Sequence, residues 1–162
     1  MDLAQALLDS WDRQCRILEV VFSQIDDSNR HLKPSESGWP IEYHLAHILK
    51  VRHSFLTGVS PERSTGSVAA VSAWLAHPVD DLNLMKSLLL IGGNAIHESV
   101  KHELSTGLAP VGSYDNPVLF LQHMLWHEAW HVGLIHLALQ RGGQESPKEW
   151  EGIWSCLDVK HQ

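Results

Sequence analysis

Residues 117–140 read Pro-Val-Leu-Phe-Leu-Gln-His-Met-Leu-Trp-His-Glu-Ala-Trp-His-Val-Gly-Leu-Ile-His-Leu-Ala-Leu-Gln. Asp115-Asn116 ahead of Pro117 supplies a capping side chain before a first-turn proline, and Gly142-Gly143 marks a stop. Between these limits Phe120, Met124, Leu134, Ile135 and Ala138 recur at helical spacing. His127 and His131 fall on the same stripe, one turn apart, so both imidazoles are expected to point into a core. From there they can reach a single metal ion. A buried imidazole left without a partner costs about 1–3 kcal/mol, so an inward pair is either hydrogen-bonded or metallated.

Working outward, residues 2–29 carry Leu7, Trp11, Leu18, Val21, Phe22 and Ile25 at helical spacing and end in Asp26-Asp27-Ser28-Asn29. A polar segment through Gly38 leads to Trp39-Pro40. A second helix follows on Ile41, Leu45, Ile48, Val51 and Phe55, to about residue 57. Residues 58–67 read as loop, with a short helix around Val68–Leu75. After His77-Pro78, Asp80 or Asp81 can cap a third long helix through about Leu104. Its Gly92-Gly93 pair either kinks it or permits a close approach. Ser105–Tyr114 reads as loop, residues 117–140 form the fourth long helix, and a short helix around Pro147–Leu157 carries Trp150 and Trp154. No segment alternates with period two. The expected fold is all-α: a single domain over residues 1–162, built as a four-helix bundle with a long connection between its second and third helices.

Composition narrows the function. The chain has 162 residues, 44% of them hydrophobic and 19% charged, enough for one packed core. Its formal charge is −7 and it has no basic run, which excludes a phosphate-neutralising surface and argues against nucleic acid as a partner. No apolar stretch is long enough to span a bilayer, and residues 1–6 carry no secretory n-region, so the expectation is a cytoplasmic protein without membrane association. Cys15 and Cys156 form no ligand-like pair and read as two buried thiols.

Histidine is over-represented, with twelve residues against eight Phe, Tyr and Met together. His31, His53, His77 and His161 fall at expected helix ends or in loops, where a solvated imidazole needs no role. His123 and His136 extend the ladder on the fourth helix. Three histidines at i, i+4 and i+8 follow a helix axis rather than converge. His44 and His47 lie on the second helix, and either can supply a third ligand from a facing helix.

His127-Glu-Ala-Trp-His131 also matches HExxH, known from zinc proteases with the glutamate as general base. The extended HExxHxxGxxH pattern is not met, because Gly133 comes one position early and residue 137 is Leu. Glu151 lies twenty residues past His131, a spacing that suits the downstream glutamate of a His2Glu site, but a Gly-Gly turn and Pro147 intervene. Glu128 projects about 100° away from its neighbouring ligand, which favours a solvated or inter-helix charge over a base.

Two segments together resemble the DinB/YfiT-like family of metal-dependent proteins. Trp39-Pro-Ile-Glu-Tyr-His-Leu-Ala-His47-Ile48 is similar to its first signature, a tryptophan followed eight residues later by a metal-binding histidine. His127-Glu-Ala-Trp-His131-Val-Gly133-Leu-Ile135, with Leu139-Gln-Arg141-Gly142-Gly143 beyond it, is similar to the second. The likeness spans most of the chain. It implies a four-helix bundle that binds zinc or nickel through His47, His127 and His131, and a homodimer. It also implies a metal-dependent enzyme acting on a small molecule, in the manner of thiol-dependent transferases or an isomerase. A non-catalytic metal-binding bundle is the alternative. The family's His-Arg-Gly-Gln reads His131-Val132-Gly133-Leu134 here, so nothing that the arginine and glutamine do carries over. Gly133 remains, and in mid-helix it is expected to pack tightly against a neighbour.

Three neutral imidazoles leave a divalent ion its full charge and an open position, where water or a thiol becomes acidic. His44, three residues before His47, is the acid/base candidate. Trp126 and Trp130 flank the ligands, either lining a pocket or packing within the bundle or between copies.

Overall fold

Four helices begin where a hydrogen-bond acceptor takes up their free N–H groups. The Asp2 carboxylate accepts from Ala4 N at 3.1 Å, Asp81 from Leu84 N at 2.9 Å, and Asn116 from Val118 N and Leu119 N at 3.1 Å. Ile41 N and Glu42 N instead donate to the Leu32 and Arg30 carbonyls at 3.0 Å. The chain before Trp39 therefore folds back over the start of the second helix and caps it with backbone.

The computed structural model describes residues 2–59, 65–76, 80–107 and 110–144. These form α1 (Leu3–Ser23), α2 (Ile41–Val59), α3 (Thr65–Ala76), α4 (Leu82–Thr106) and α5 (Pro117–Arg141). The described residues are all-α; an isolated bridge joins Val111 and Tyr114, and no strand forms. No described helix is long and apolar enough to cross a membrane. His77, His161, Cys156, Glu151 and the expected helix at Pro147–Leu157 lie outside the described residues.

The core comes in two apolar clusters stacked along the helix axes. One joins Leu18, Val21 and Phe22 of α1, Leu45 and Ile48 of α2, Met85 and Leu88 of α4, and Ile135 and Leu139 of α5. The other joins Leu8 and Trp11, Leu56, Ile96 and Val100, and Phe120 and Met124 of the same four helices. The ends of α1 and α5 that share a cluster are both C-terminal, and those of α2 and α4 both N-terminal. So α1 and α5 run one way and α2 and α4 the other. The parallel pair α2 and α4 requires a crossover, which α3 provides while packing on both.

Helix limits differ from the sequence expectation in ways that side chains explain. α1 stops at Ser23, not residue 29, because Asn29 turns inward. Its side chain donates to Gln24 O at 2.8 Å and accepts from Asp26 N at 3.0 Å, replacing helical bonds with a buried turn. α2 runs to Val59, and His53 within it is not a solvated imidazole but half-buried, with Nε2 3.2 Å from Ser72 Oγ. α3 starts at Thr65 and α4 runs on to Thr106, each a few residues beyond expectation.

Gly133 overturns its expectation. A Cβ built there meets nothing within 4 Å, and the residue is exposed. Helix entropy is then its dominant effect, so Gly133→Ala is expected to stabilise the protein by about 0.5–1 kcal/mol in urea denaturation. A loss of stability contradicts this.

Candidate metal centre

Three imidazoles from two helices converge. His47 of α2 places Nε2 3.2 Å from Nε2 of His127 on α5, and His131 places its Nε2 3.2 Å from the same atom. The ligand atoms of the three all lie within 4.8 Å of one another. A tetrahedral ion with metal–nitrogen bonds of about 2.0–2.1 Å sets its nitrogens about 3.3 Å apart, so the donor set fits a small divalent cation. The group contains no carboxylate, so three imidazole nitrogens alone would face the ion. His131 is buried, while His47 and His127 are half-buried.

Both ends of His131 are occupied, since its Nδ1 lies 2.8 Å from Nδ1 of His44. With Nε2 given to a metal, His131 carries its proton on Nδ1 and donates it to His44. His44 is 3% exposed, and the Trp39 indole leans over both His44 and His47 at 5.8 and 5.5 Å between ring centroids. The sequence candidate at His44 therefore touches the ligand group directly. His123 does not join it, because its Nδ1 pairs with the Tyr114 hydroxyl at 2.6 Å. His136 also stands outside the group.

Electrostatics keep these rings neutral. Burial, then the neighbouring His127, His44 and His47, push His131 down to about 3. Burial, then His47 and His123, push His127 down to about 4. Burial lowers His47 and His44 as well. Neutral imidazoles are the ligand form, so the group is ready for a cation at neutral pH.

These shifts also fix a pH dependence for the metal-free protein. In the unfolded chain His127 and His131 protonate as pH falls through their ordinary value near 6.5; in the folded protein they resist down to about 4 and about 3. The unfolded state thus binds more protons across that window, and stability falls as pH falls. Urea midpoints measured in chelator should drop steadily from about pH 7 to about pH 4, more than in His127→Leu. Equal slopes for the two proteins contradict the assignment.

Glu128 is where sequence reasoning needs a partner that it missed. Its side chain is 0% exposed and holds Arg52 of α2 bidentately, Oε1 to Nε at 2.6 Å and Oε2 to Nη2 at 2.7 Å. Arg52 is 1% exposed; it also donates to the Leu89 carbonyl of α4, and its guanidinium lies 5.1 Å from the Trp11 ring centroid of α1. Burial works against the Arg52 charge, but the attraction and hydrogen bonds of Glu128 outweigh it. Cys15 borders this layer as a free thiol, which burial raises to about 11.

Gly93 makes room for the arginine. A Cβ there would stand 2.8 Å from Arg52 Nη1 and 3.0 Å from Cys15 Sγ, and Trp11 Nε1 donates to the Gly93 carbonyl at 2.9 Å. Of the two expectations for Gly92-Gly93, the close approach is the one observed at Gly93. The signal for the pair was present: Arg52 continues the apolar spacing of Ile41, Leu45 and Ile48, and Glu128 follows Leu121 and Met124. A charge in an apolar stripe needs an opposite charge from a facing stripe.

The ligand group opens onto a concavity of about 610 Å³ whose wall includes Trp39, Trp126, Trp130, Leu134 and Leu137. Trp126 and Trp130 are 67% and 61% exposed, so within the chain they line this space and are not packed in the core. In comparisons with family models, with curated proteins and with solved structures, no match to the chain was found.

Proposed function

We propose that this chain is a DinB/YfiT-like four-helix bundle and a metal-dependent enzyme that acts on a small molecule, by thiol-dependent transfer or isomerisation. The observation that carries the reading is the convergence of His47, His127 and His131 Nε2 atoms beneath an open concavity. The Trp39–His47 and His127–His131 signatures, and the crossover between parallel α2 and α4, agree with the family resemblance. His47, His127 and His131 would hold a divalent ion such as zinc or nickel, which would supply Lewis-acid charge to a bound molecule.

The chain's own residues do the rest. His44 holds the proton of His131 on Nδ1 and so fixes the tautomer that leaves Nε2 free. Trp39 covers one flank of His44 and His47 and limits water there. Glu128 takes no proton from a substrate, because Arg52 engages both of its oxygens. That engagement speaks against the zinc-protease use of HExxH. A non-catalytic centre is better served by a closed site than by this open one.

Zinc- and nickel-loaded protein, incubated with a small thiol and electrophilic acceptors, tests the proposal. Thiol consumption above the uncatalysed rate, lost in His127→Ala, is the expected result. No consumption by metal-loaded protein with any acceptor points to the non-catalytic reading.

A further inference from the structure

Two concavities meet at Trp39 and His47, and their chemistry differs. One, of about 760 Å³, is bordered by Arg30, Glu42, Lys50, Asp80 and Asp81 and reaches only His47 of the ligand group. The other, of about 610 Å³, has His44, His47, His127 and His131 at its base, and its described lining holds no Lys, Arg, Asp or Glu. That volume is within the range of small-molecule sites.

Its wall repeats the ligand spacing in indoles. Trp126 precedes His127 and Trp130 precedes His131, so the two rings stand one turn apart alongside the two imidazoles, with Trp39 leaning in from the segment before α2. Exposed tryptophans are costly unless something covers them, and here they border a space with convergent polar nitrogens at its base. Three neutral imidazoles leave a bound divalent ion with two positive charges, which favour one anionic or lone-pair donor. No described cation in the lining awaits a second anionic group.

We propose that the tryptophan-walled concavity takes a ligand with a flat, apolar body and a single donor head, neutral or monoanionic, directed to the three-histidine group. The inference deepens the metal-centre reading and rests on it. Polyanionic molecules are disfavoured, since the described wall offers their further anionic groups no cation. Covering roughly 60 Å² of apolar ligand surface, at about 25 cal/mol per Å², corresponds to about tenfold in affinity.

Cobalt(II)-loaded protein separates this inference from the reading beneath it. The visible d–d bands first report whether metal is bound, with His47→Ala as the comparison, and titrations with acetate, benzoate and succinate then report ligand entry. Benzoate is expected to bind at least about tenfold tighter than acetate, and succinate no tighter than acetate. Trp130→Ala and Trp126→Ala should each cut the benzoate preference several-fold and leave acetate unchanged. A benzoate-to-acetate ratio near one, a preference for succinate, or a ratio unchanged in both variants overturns the inference while the metal centre stands. Absent cobalt bands overturn the metal centre and the inference together. If the tryptophan variants alter sedimentation but not benzoate binding, these rings serve contact between copies and the inference is wrong.

Discussion

Glu128→Ala should lower the unfolding free energy by about 3–5 kcal/mol, the cost of leaving a buried guanidinium without its counter-charge. Arg52 is 1% exposed, and its remaining partners are the Leu89 carbonyl, the Cys15 thiol and the face of Trp11, none of them anionic. The pair forms a polar layer between the two apolar clusters, so water cannot enter to compensate without opening both. Replacing both residues, as Arg52→Met with Glu128→Leu, removes the unpaired charge, and stability is expected to return to within about 2 kcal/mol of the parent. The pair also fixes how far α2 is shifted along α5, and those helices carry His47 and His127. The double variant should therefore recover stability while binding zinc more weakly. Urea denaturation in chelator and competitive zinc titration measure the two effects separately. A loss below about 1 kcal/mol in Glu128→Ala contradicts the buried-pair assignment.

Metal loading is expected to have an effect of similar size. An ion that binds the folded chain alone stabilises it by about 4 kcal/mol at a free concentration 1,000-fold above its Kd. Zinc should raise the unfolding midpoint of the wild-type chain and chelator should reverse it. In His131→Ala the shift should disappear at the same zinc concentration, since that change removes one ligand and leaves His44 Nδ1 without its partner. A midpoint that rises equally in both proteins places the zinc elsewhere, for example on exposed histidines such as His31.

Elements with strong periodicity and capping residues were legible in sequence. Asp81, Asn116 with Pro117, and Gly142 bounded α4 and α5 to within a few residues, because the side chain that stops or starts the helix is local. The end of α1 was not legible, because Asn29 folds back on Gln24 only where the turn is buried. His127 and His131 were visible as an inward pair from spacing alone. Their third partner was not, since His44 and His47 lie three apart and both face α5; the resemblance, not the spacing, singled out His47. In the structure His47 meets His127 while His44 backs His131. Arg52 escaped notice because its counter-charge is 76 residues away. Gly133 misled because mid-helix glycine usually marks a close contact, and here its face is open.

The most direct test of the three-histidine centre is the divalent-metal content of the purified protein, measured beside His47→Ala. The wild-type chain should hold about one ion, and the variant should lose most of it, since two imidazoles on one helix leave the cation without the ligand from α2. Full metal content in His47→Ala, with the fold intact by circular dichroism, contradicts a centre built from His47, His127 and His131.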